Sequence, residues 1–496
     1  MHAETAYVFR HALLGSAAYD LQPPGERAIL HGLALDILES AMRADPGLLQ
    51  GAALELAHHA RQAQSQRRTA NLSVLKVLAE KECDYLAQGA RHAFDHFDFA
   101  TASRAADLLA SHPAATPSQT SMALLSLGES ARYQGRDADA RGFFERAVTA
   151  SEQAGLGEQH AKALRGLGIV LKNTPESEAG IGHVRRALAI LEQLGLASAA
   201  ATCRSDLATL QVSRNNATEA IAAYQQSAAE QRRLKCSDHL AVTLLSMADV
   251  LVRMRRLDEA RMAVEEAEAI TAVTGNLLRQ AGCAMARAHI LKQQGRRAEA
   301  GQMARQSEQI KRQLGDEPAA MSSLLFRAML AAEDGDTPGA IALAQKGVAL
   351  SLELGNPYWH ANLQLNLGVW LDQIGQFAQA EAASRQAVEV LQGVGELRGA
   401  AVALSNLASA LKAQGRHEEA IACYQRALPA LENHGDPIAL GIGLGGLAEA
   451  LCRKGDPGAQ ATYERSCQLL GEAKAEPQLQ DIRRRWQKSL LSRREP

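Results

Sequence analysis

Hydrophobic residues recur along most of this chain at the spacing of amphipathic helices, in units of 40 residues. In a specimen unit at 361–394, Leu363, Leu367, Trp370, Leu371 and Ile374 follow the i, i+4, i+7, i+8 and i+11 pattern of one helical face. A glycine ends this stripe, a second apolar stripe follows, and another glycine ends that one in turn. The pattern therefore predicts a helical hairpin as the repeat unit.

Three columns of residues keep the 40-residue period. The first holds turn-forming residues in most units, and the second, half a period away, is mainly glycine. The third is always small: Gly128, Gly168, Ala208, Ala248, Ala288, Ala328, Gly368, Ala408 and Ala448. We interpret the small position as the place where the two helices of a hairpin approach closely. Self-similarity at this period indicates a solenoid, in which each unit buries its apolar face by stacking on its neighbours.

Composition supports an all-α chain and narrows the range of partners. Of the 496 residues 47% are hydrophobic but only 4% aromatic, and clusters of β-branched residues at strand spacing are scarce. The formal charge of −2 provides no overall field for nucleic acid or an anionic membrane, so neither is an expected partner. The seven cysteines form no CxxC motif, and neither a signal peptide nor a spanning segment is evident. These features predict a soluble, cytoplasmic protein.

The repeated pattern resembles the tetratricopeptide repeat in its longer form of roughly 40 residues. The resemblance is clearest in NLGVWLDQIGQFAQAEAASRQAV and NLASALKAQGRHEEAIACYQRAL, where an alanine follows the turn glycine by five residues. It implies a right-handed α-solenoid of helix-turn-helix units. It also implies a scaffold that binds a protein or peptide along the concave face, since this fold hosts many partners.

The first 65 residues carry a second resemblance. YVFRHALLGSAAYDLQPPGERAILHGLALDILE and the later LELAHHARQA are similar to the connector that precedes tetratricopeptide repeats in bacterial signal-transduction ATPases. The phosphate-binding Gly-Lys-Ser/Thr of such an ATPase is missing, because the sequence contains no Gly-Lys dipeptide. We expect a helical connector at 1–65, a transition with a degenerate first repeat at 66–117, nine repeats at 118–474, and a capping helix with a basic tail at 475–496.

Other motifs do not point to catalysis. The stretch GIGLGG at 441–446 matches a dinucleotide-binding motif, but it lies within a predicted helix with no strand before it. His92 and His96 have the i, i+4 spacing of metal ligands, yet the repeat register places a turn at Asp95, so we expect them not to share a helical face. We therefore predict no enzymatic activity, no catalytic residue, no cofactor and no metal.

The resemblance assigns the concave face to the first helix of each unit, at positions six, three and two before the small residue and one and four after it. Candidate binding residues at or near these positions include basic ones in the early units, an apolar patch in the middle and two asparagines later. The candidates are Arg132, Lys162, Arg165, Lys172, Leu325, Phe326, Met329, Asn366, Asn406 and Lys412. Exposed apolar side chains and amides suit capture of an extended or helical peptide.

Three hypotheses follow. The leading one is a non-enzymatic scaffold of bacterial signalling or regulation that binds a partner peptide or helix in its groove. The second is a sensor or regulatory arm of a separately encoded or truncated ATPase, cyclase or transcriptional regulator, which docks through the N-terminal connector. The third is a sensor whose groove binds a small effector.

Overall fold

The computed structural model describes residues 19, 21–65, 72–174, 176–213, 216–433 and 436–492. Across these ranges the chain forms 24 α-helices, one 3-10 helix and no β-strand, which confirms the predicted all-α solenoid. The chain divides into two compact units. The N-terminal unit comprises Met1–Ser130 with Phe143–Ala163, and the C-terminal unit comprises Ala131–Gly142 with Leu164–Pro496.

Five helices precede the region of the predicted repeats. They are α1 (Pro24–Met42), α2 (Pro46–Gly51), α3 (Ala53–Gln64), α4 (Leu72–Asp95) and α5 (Phe99–Ala110). Leu35 of α1 and Leu56 of α3 are fully buried in one cluster that also includes Leu78 of α4. The described part of the predicted connector contains helices α1, α2 and α3; its residues 1–18 and 20 lie outside the described residues.

Consecutive helix pairs follow at the predicted period. The pairs are α6 (Pro117–Tyr133) and α7 (Asp137–Gln153), α8 (Gly157–Val170) and α9 (Ser177–Gln193), α10 (Ala197–Ser213) and α11 (Ala217–Arg233), α12 (Ser237–Arg253) and α13 (Leu257–Thr274), α14 (Leu277–Gln293) and α15 (Arg297–Gln313), α16 (Glu317–Glu333) and α17 (Thr337–Glu353), α18 (Pro357–Gln373) and α19 (Phe377–Gly393), α20 (Leu397–Ala413) and α21 (His417–Asn433), and α22 (Pro437–Lys454) and α23 (Ala459–Glu472). A last helix, α24 (Glu476–Ser492), stands alone.

The two turn columns end helices in the left-handed conformation, which glycine reaches without a Cβ clash. Gly135 has a φ of 72° and Gly295 a φ of 78°. Lys235 and Arg255 adopt φ angles of 54° and 61° at equivalent turns. The turn geometry therefore persists at positions where the sequence departs from glycine.

The column of small residues lies where paired helices meet, as predicted. A Cβ added at Gly168 would lie 2.5 Å from Val184 Cγ2 and 2.6 Å from the carbonyl oxygen of Gly180. At Gly368 the added atom would lie 2.7 Å from Ser384 Oγ. A larger side chain at this column would push the two helices of a pair apart.

The first helix of the second pair ends differently from its equivalents. Helix α8 stops at Val170, and a 3-10 turn covers Leu171–Asn173. Thr174 is extended, with φ −102° and ψ 166°. The next residue in the sequence is Pro175, and a proline disfavours the helical conformation of the residue before it. This departure from the repeat fixes the backbone around Lys172.

The glycine-rich stretch at 441–446 lies inside α22, whose glycines are packing positions. A Cβ at Gly446 would lie 2.2 Å from the hydroxyl oxygen of Tyr424, and one at Gly445 would lie 2.4 Å from Ile482 Cδ1. Side chains from neighbouring helices thus lie so close to the α22 backbone that these positions have no room for a Cβ atom. Because the stretch is helical from Pro437 onward, it lacks the strand-to-helix turn of a dinucleotide site.

Helix α24 covers the end of the array. Leu479, Ile482 and Trp486 are buried, and the Trp486 ring stacks on Tyr463 of α23 with centroids 4.6 Å apart. Burying this apolar face closes the last pair, which would otherwise expose the surface that stacks on a following repeat. No helix in the described ranges is long and apolar enough to cross a membrane.

Two histidine pairs lie in the N-terminal unit. His31 Nδ1 and His59 Nδ1 are 2.8 Å apart, a distance that requires one of the two nitrogens to be unprotonated. His92 and His96 have ring centroids 4.1 Å apart, so the expectation that they do not share a face was wrong. Helix α4 continues through Asp95, and the left-handed turn lies at Phe97, with a φ of 62°, instead of at Asp95. Among the described residues, no group of three or more His, Cys, Asp or Glu side chains could hold a metal ion.

Candidate functional site

The C-terminal unit contains two adjoining cavities, of about 630 Å³ and about 800 Å³. Lys172, Thr174, Tyr358 and Glu396 line both of them. We therefore describe them together as the groove, with a first cavity of 630 Å³ and a second of 800 Å³. Each volume falls in the range of about 300–1,000 Å³ that is typical of ligand pockets.

Much of the groove is lined by first helices at the positions that the repeat register assigns to the concave face. These lining residues are Arg132, Ile169, Lys172, Thr209, Val212, Ser246, Asp249, Asn362, Leu365 and Val402. They come from several different pairs, because equivalent positions of stacked hairpins fall side by side. The lining mixes apolar, hydroxyl and charged side chains.

Another part of the groove is lined by the beginnings of later first helices. The residue before each helix lies at a 40-residue spacing: Asp316, Asn356, Glu396 and Asp436. Their side-chain oxygens accept hydrogen bonds from backbone N–H groups of their own helices, at distances of 2.6–3.0 Å. This is helix N-capping. The capping column thus shapes the site as well as starting the helices.

Residues far apart in sequence meet at one end of the groove. A Cβ added at Gly135 would lie 2.8 Å from Asn356 Oδ1 and 2.9 Å from Tyr358 Cβ. The turn that follows α6 therefore contacts the start of α18, about 220 residues later in the chain. Within the C-terminal unit, helix pairs that are far apart in sequence therefore line the same cavity.

Three basic residues line the groove at different places. Lys172 lines both cavities, Arg132 lines only the first and Arg253 only the second. Burial lowers the pKa of Lys172, and repulsion from Arg253 and Arg132 lowers it further, whereas Asp137 and Asp249 act in the opposite sense. Burial raises the pKa of the Asp137 carboxyl, which partly offsets its value as a counter-charge.

Other charges that line the groove are held in ion pairs. The Arg398 guanidinium lies 2.6 Å from Asp436 Oδ2. The two terminal nitrogens of Arg141 donate to the two carboxylate oxygens of Glu176 at 2.9 and 3.0 Å. Such bidentate pairs fix both side chains. These four residues therefore stiffen the walls and are less available to a ligand than Lys172.

A family comparison identifies the repeats. The tetratricopeptide repeat family matches residues 359–433 and 399–472. The chain contains tetratricopeptide repeats. This family supports a protein-interaction scaffold, and its fold is typical of non-catalytic proteins. No curated protein sequence matches the chain.

Solved structures of low identity are similar to parts of the chain. A Rap protein complexed with competence and sporulation factor is 12% identical, with a TM-score of 0.50 over 72% of this chain and 99% of the other. A signal transduction ATPase with numerous domains and a tetratricopeptide repeat sensor, from Pyrococcus horikoshii, is 13% identical, with a TM-score of 0.49 over 93% and 74% of the two chains. The apo form of RapI is 12% identical, with a TM-score of 0.44 over 58% and 98%.

The early basic candidates of the tetratricopeptide-repeat protein separate into two groups. Arg132 and Lys172 line the groove. Lys162 belongs to the N-terminal unit, is exposed and pairs with Glu158 at 2.7 Å, one turn away on the same helix. Arg165 forms an ion pair with Asp206 of the next first helix. The structure thus brings two of these four candidates to the groove.

The prediction that Leu325, Phe326 and Met329 form an exposed apolar patch was wrong. Phe326 is 5% exposed and belongs to a core cluster, with the His289 ring centroid 4.6 Å from its own. Lys292 of the preceding first helix lies over the same ring. Leu325 and Met329 are half-buried and pack against core residues. Removing the Phe326 ring would cost about 3–5 kcal/mol of stability, so this residue is unsuitable as a binding probe.

The later polar candidates are engaged within the array. Asn366 Nδ2 donates to the carbonyl of Asn362 at 2.8 Å, and Asn406 Nδ2 lies 3.5 Å from the carbonyl oxygen of Leu365. Lys412 Nζ donates to Glu449 Oε2 at 2.6 Å, and both side chains are largely buried. Their proposed role in binding remains a prediction, and none of Asn366, Asn406 and Lys412 lines either cavity.

Several groove residues were missed by the sequence interpretation. They are Arg253, Tyr358, Arg398 and the capping column of Asp316, Asn356, Glu396 and Asp436. The capping column carried a usable signal, because acidic or amide residues recur at a 40-residue spacing directly before predicted helices. The sequence carries no signal for the contact between Gly135 and Tyr358, because that contact depends on the curvature that accumulates over many repeats.

Proposed function

We propose that this tetratricopeptide-repeat protein is a non-enzymatic scaffold that captures a segment of a protein partner in the groove. The observation that supports it best is the groove itself, with two adjoining cavities lined by equivalent positions of several pairs. Side chains repeated along a groove can contact successive residues of an extended or helical peptide. The Rap protein of similar fold was solved as a complex with competence and sporulation factor, which is consistent with this proposal.

The lining suits a peptide that is partly apolar and partly charged. Val212, Leu365 and Val402 offer apolar contacts, whereas Thr209 and Ser246 offer hydroxyl groups. The Thr209 hydroxyl lies 2.7 Å from the Tyr224 hydroxyl, so part of this polarity is already satisfied within the protein. Affinity would then come from a few buried contacts rather than from overall charge.

Filling the groove tests the proposal. Asn362 lines the second cavity, and Asn362→Arg places a long side chain there while keeping the helix. Gln225→Arg adds the same charge at an exposed position of α11 and serves as the matched control. Partners are captured from a lysate of the native organism and identified by mass spectrometry, with circular dichroism as a check on folding.

We expect the native chain and the Gln225→Arg control to recover the same partner, and the folded Asn362→Arg variant to lose it. Recovery by all three proteins in equal yield would contradict binding in the groove. The bacterial, cytoplasmic and signalling assignments depend on the identity of that partner and remain part of the proposal.

A second candidate function rests on α1. Ile29, Leu33 and Ile37 lie one turn apart on this helix and are 54%, 54% and 66% exposed. An apolar row of this kind is typical of a contact surface. It would suit docking of the connector on a separately encoded ATPase, cyclase or transcriptional regulator.

A charge introduced into this apolar row tests the second candidate in the full chain. We expect Leu33→Glu to abolish capture of a nucleotide-binding or regulatory protein, while Leu352→Glu, at an exposed leucine of α17, retains it. If Leu33→Glu recovers the same proteins as the control, this role for the connector is wrong.

A further inference from the structure

The first cavity lies between turns of the chain and not along the first helices. On one side are the turns that join α6 to α7 and α8 to α9. On the other side are the beginnings of α16 and α18 and the turn between α19 and α20. The repeat register assigns the concave face to first helices, so this cavity exists only because distant pairs meet, as they do at Gly135 and Tyr358. No single repeat contains it.

Aromatic side chains are concentrated in the first cavity. The chain has 8 Phe, 8 Tyr and 3 Trp residues in all, and three of them, Tyr133, Tyr358 and Trp359, line this one cavity. Tyr133 is 41% exposed and Tyr358 39% exposed, so part of each side chain is accessible to a ligand. Leu171 and Val394 add aliphatic surface to the same lining. Apolar and aromatic walls with a few polar groups are typical of ligand pockets.

Tyr358 and Trp359 form an aromatic corner at the start of α18. Their ring centroids are 5.5 Å apart, and the ring planes meet at 77°. Trp359 packs against a core cluster that includes Leu324 and Leu363, and its backbone N–H donates to the capping Asn356 at 3.0 Å. A third aromatic ring can pack edge-to-face against such a corner. Because the corner is already held in place, binding there orders few additional side chains.

The charged side chains of the first cavity are nearly balanced and mostly engaged within the protein. They comprise three cations and four carboxylates: Arg132, Arg141, Lys172, Asp137, Glu176, Asp316 and Glu396. Arg141 pairs with Glu176, and the Arg132 Cζ lies 4.8 Å from the Tyr133 ring centroid. Asp316 and Glu396 cap helices. The lining therefore offers a ligand apolar contact in the first place, and its charges favour neither an anion nor a cation.

We propose that the first cavity is a pocket for an aromatic side chain of the partner segment that lies in the groove. This inference rests on the proposed binding function and specifies the ligand as a peptide with a phenylalanine, tyrosine or tryptophan beside the stretch that contacts the second cavity. Tyr358 lines both cavities, so a segment in the second cavity is next to the pocket. The bound ring would contact early and late pairs together, and buried aromatic anchors commonly supply much of the affinity of an interface.

The test uses capped amino acids as probes and Trp359 as the reporter. The full chain is labelled with 5-fluorotryptophan, and the ¹⁹F resonance of Trp359 is assigned with the Trp359→Phe variant. The sequence has two other tryptophans, Trp370 and Trp486, which are buried in other clusters and serve as internal controls. The protein is titrated separately with N-acetyl-phenylalaninamide, N-acetyl-leucinamide and N-acetyl-alaninamide.

We expect the phenylalanine amide to shift the Trp359 resonance saturably and to leave Trp370 and Trp486 unchanged. The leucine amide should need a concentration about two- to tenfold higher for half saturation, because it forms no aromatic pair. The alanine amide should have no effect. Half saturation by leucine at the same or a lower concentration would overturn the aromatic assignment, and a Trp359 resonance that responds to none of the probes would overturn the pocket.

A variant that fills the pocket checks that the probe binds there. Ala138 is exposed on the first turn of α7 and lines the first cavity, so Ala138→Phe places a ring in the pocket while keeping the helix. Ala298→Phe, at the equivalent position of α15, lines neither cavity of the groove and is the matched control. The phenylalanine amide should shift Trp359 in the control and not in Ala138→Phe. An equal shift in both variants would show that the probe binds elsewhere and would overturn the pocket.

A second measurement separates this inference from the proposed function. Capture of the partner recovered by the native chain is repeated with Ala138→Phe and Ala298→Phe alongside Asn362→Arg. Capture lost in Ala138→Phe and Asn362→Arg but kept in Ala298→Phe supports both. If Asn362→Arg abolishes capture and Ala138→Phe leaves it unchanged, groove binding stands and the aromatic pocket is wrong. If the phenylalanine amide shifts Trp359 as expected but Asn362→Arg captures normally, the pocket stands and the proposed function is wrong.

Discussion

Replacing Gly135 by alanine should test whether the groove is closed in solution. Gly135 has a φ of 72°, and Gly295, at the equivalent turn of another pair, has a φ of 78°. An alanine in this left-handed conformation costs about 1–2 kcal/mol at either position. The two sites differ in their surroundings, because a Cβ at Gly295 meets nothing within 4 Å, whereas one at Gly135 meets Asn356 and Tyr358 at 2.8 and 2.9 Å.

The difference between the two variants isolates the contact across the groove. Asn356 Oδ1 cannot move freely, because it accepts a hydrogen bond from the Trp359 N–H at 3.0 Å as the cap of α18. The backbone nitrogen of Tyr358 also lies 3.3 Å from the added atom. Overpacking of this kind costs about 1–3 kcal/mol, so Gly135→Ala should destabilise the chain by that much more than Gly295→Ala.

Urea denaturation followed by circular dichroism gives the first measure, with the Gly135→Ala midpoint expected below that of Gly295→Ala. Hydrogen exchange gives the second. Backbone amides at the start of α18 should exchange faster in Gly135→Ala, because relief of the clash separates the two turns. Equal midpoints, together with unchanged exchange at 356–360, would refute the closed groove.

Two further predictions concern packing and pH. Gly446→Ala should lower the free energy of unfolding by about 1–3 kcal/mol in urea denaturation, because the new Cβ lies 2.2 Å from the buried Tyr424 hydroxyl. Gly182→Ala, whose new Cβ meets nothing within 4 Å, should instead raise it by up to about 1 kcal/mol. Similar effects of the two variants would contradict the packing role of Gly446. Burial lowers the pKa of both His31 and His59 from 6.5, so helix α1 should become less stable as the pH falls below that value. Hydrogen exchange of α1 should accelerate on acidification, and the His59→Gln variant should lose most of that dependence if the pair is the cause.

The repeat architecture was predictable because each part of it is local. A glycine such as Gly375 ends a helix within a few residues, and a small residue such as Gly368 lets the next helix approach. These constraints recur in every unit, so a weak signal in one pair is corrected by its neighbours. Of the candidates that the same register supplied, Arg132 and Lys172 line the groove.

The exposure of individual side chains was not predictable from the register. Phe326 occupies a concave-face position, but His289 and Lys292 of the preceding first helix pack over its ring. At most pairs the equivalent residues are smaller or differently placed. The repeat register therefore does not show which side chains of adjacent units will pack against one another. Phe326 is therefore buried by the neighbouring unit, which the pattern of its own unit does not reveal.

Departures from the repeat carry most of what distinguishes this groove from a generic one. A perfect array would present the same side chains at each step and would bind a repeating ligand. Helix α8 ends at Val170, and Lys172 lies on the 3-10 turn that follows, where it lines both cavities without a partner among the described residues. Tyr358 likewise fills the start of α18, where it meets the early turn at Gly135. Neither feature recurs at the other pairs, so a peptide bound in the groove as we propose would have one preferred register, because a shift by one repeat would move it away from both Lys172 and Tyr358.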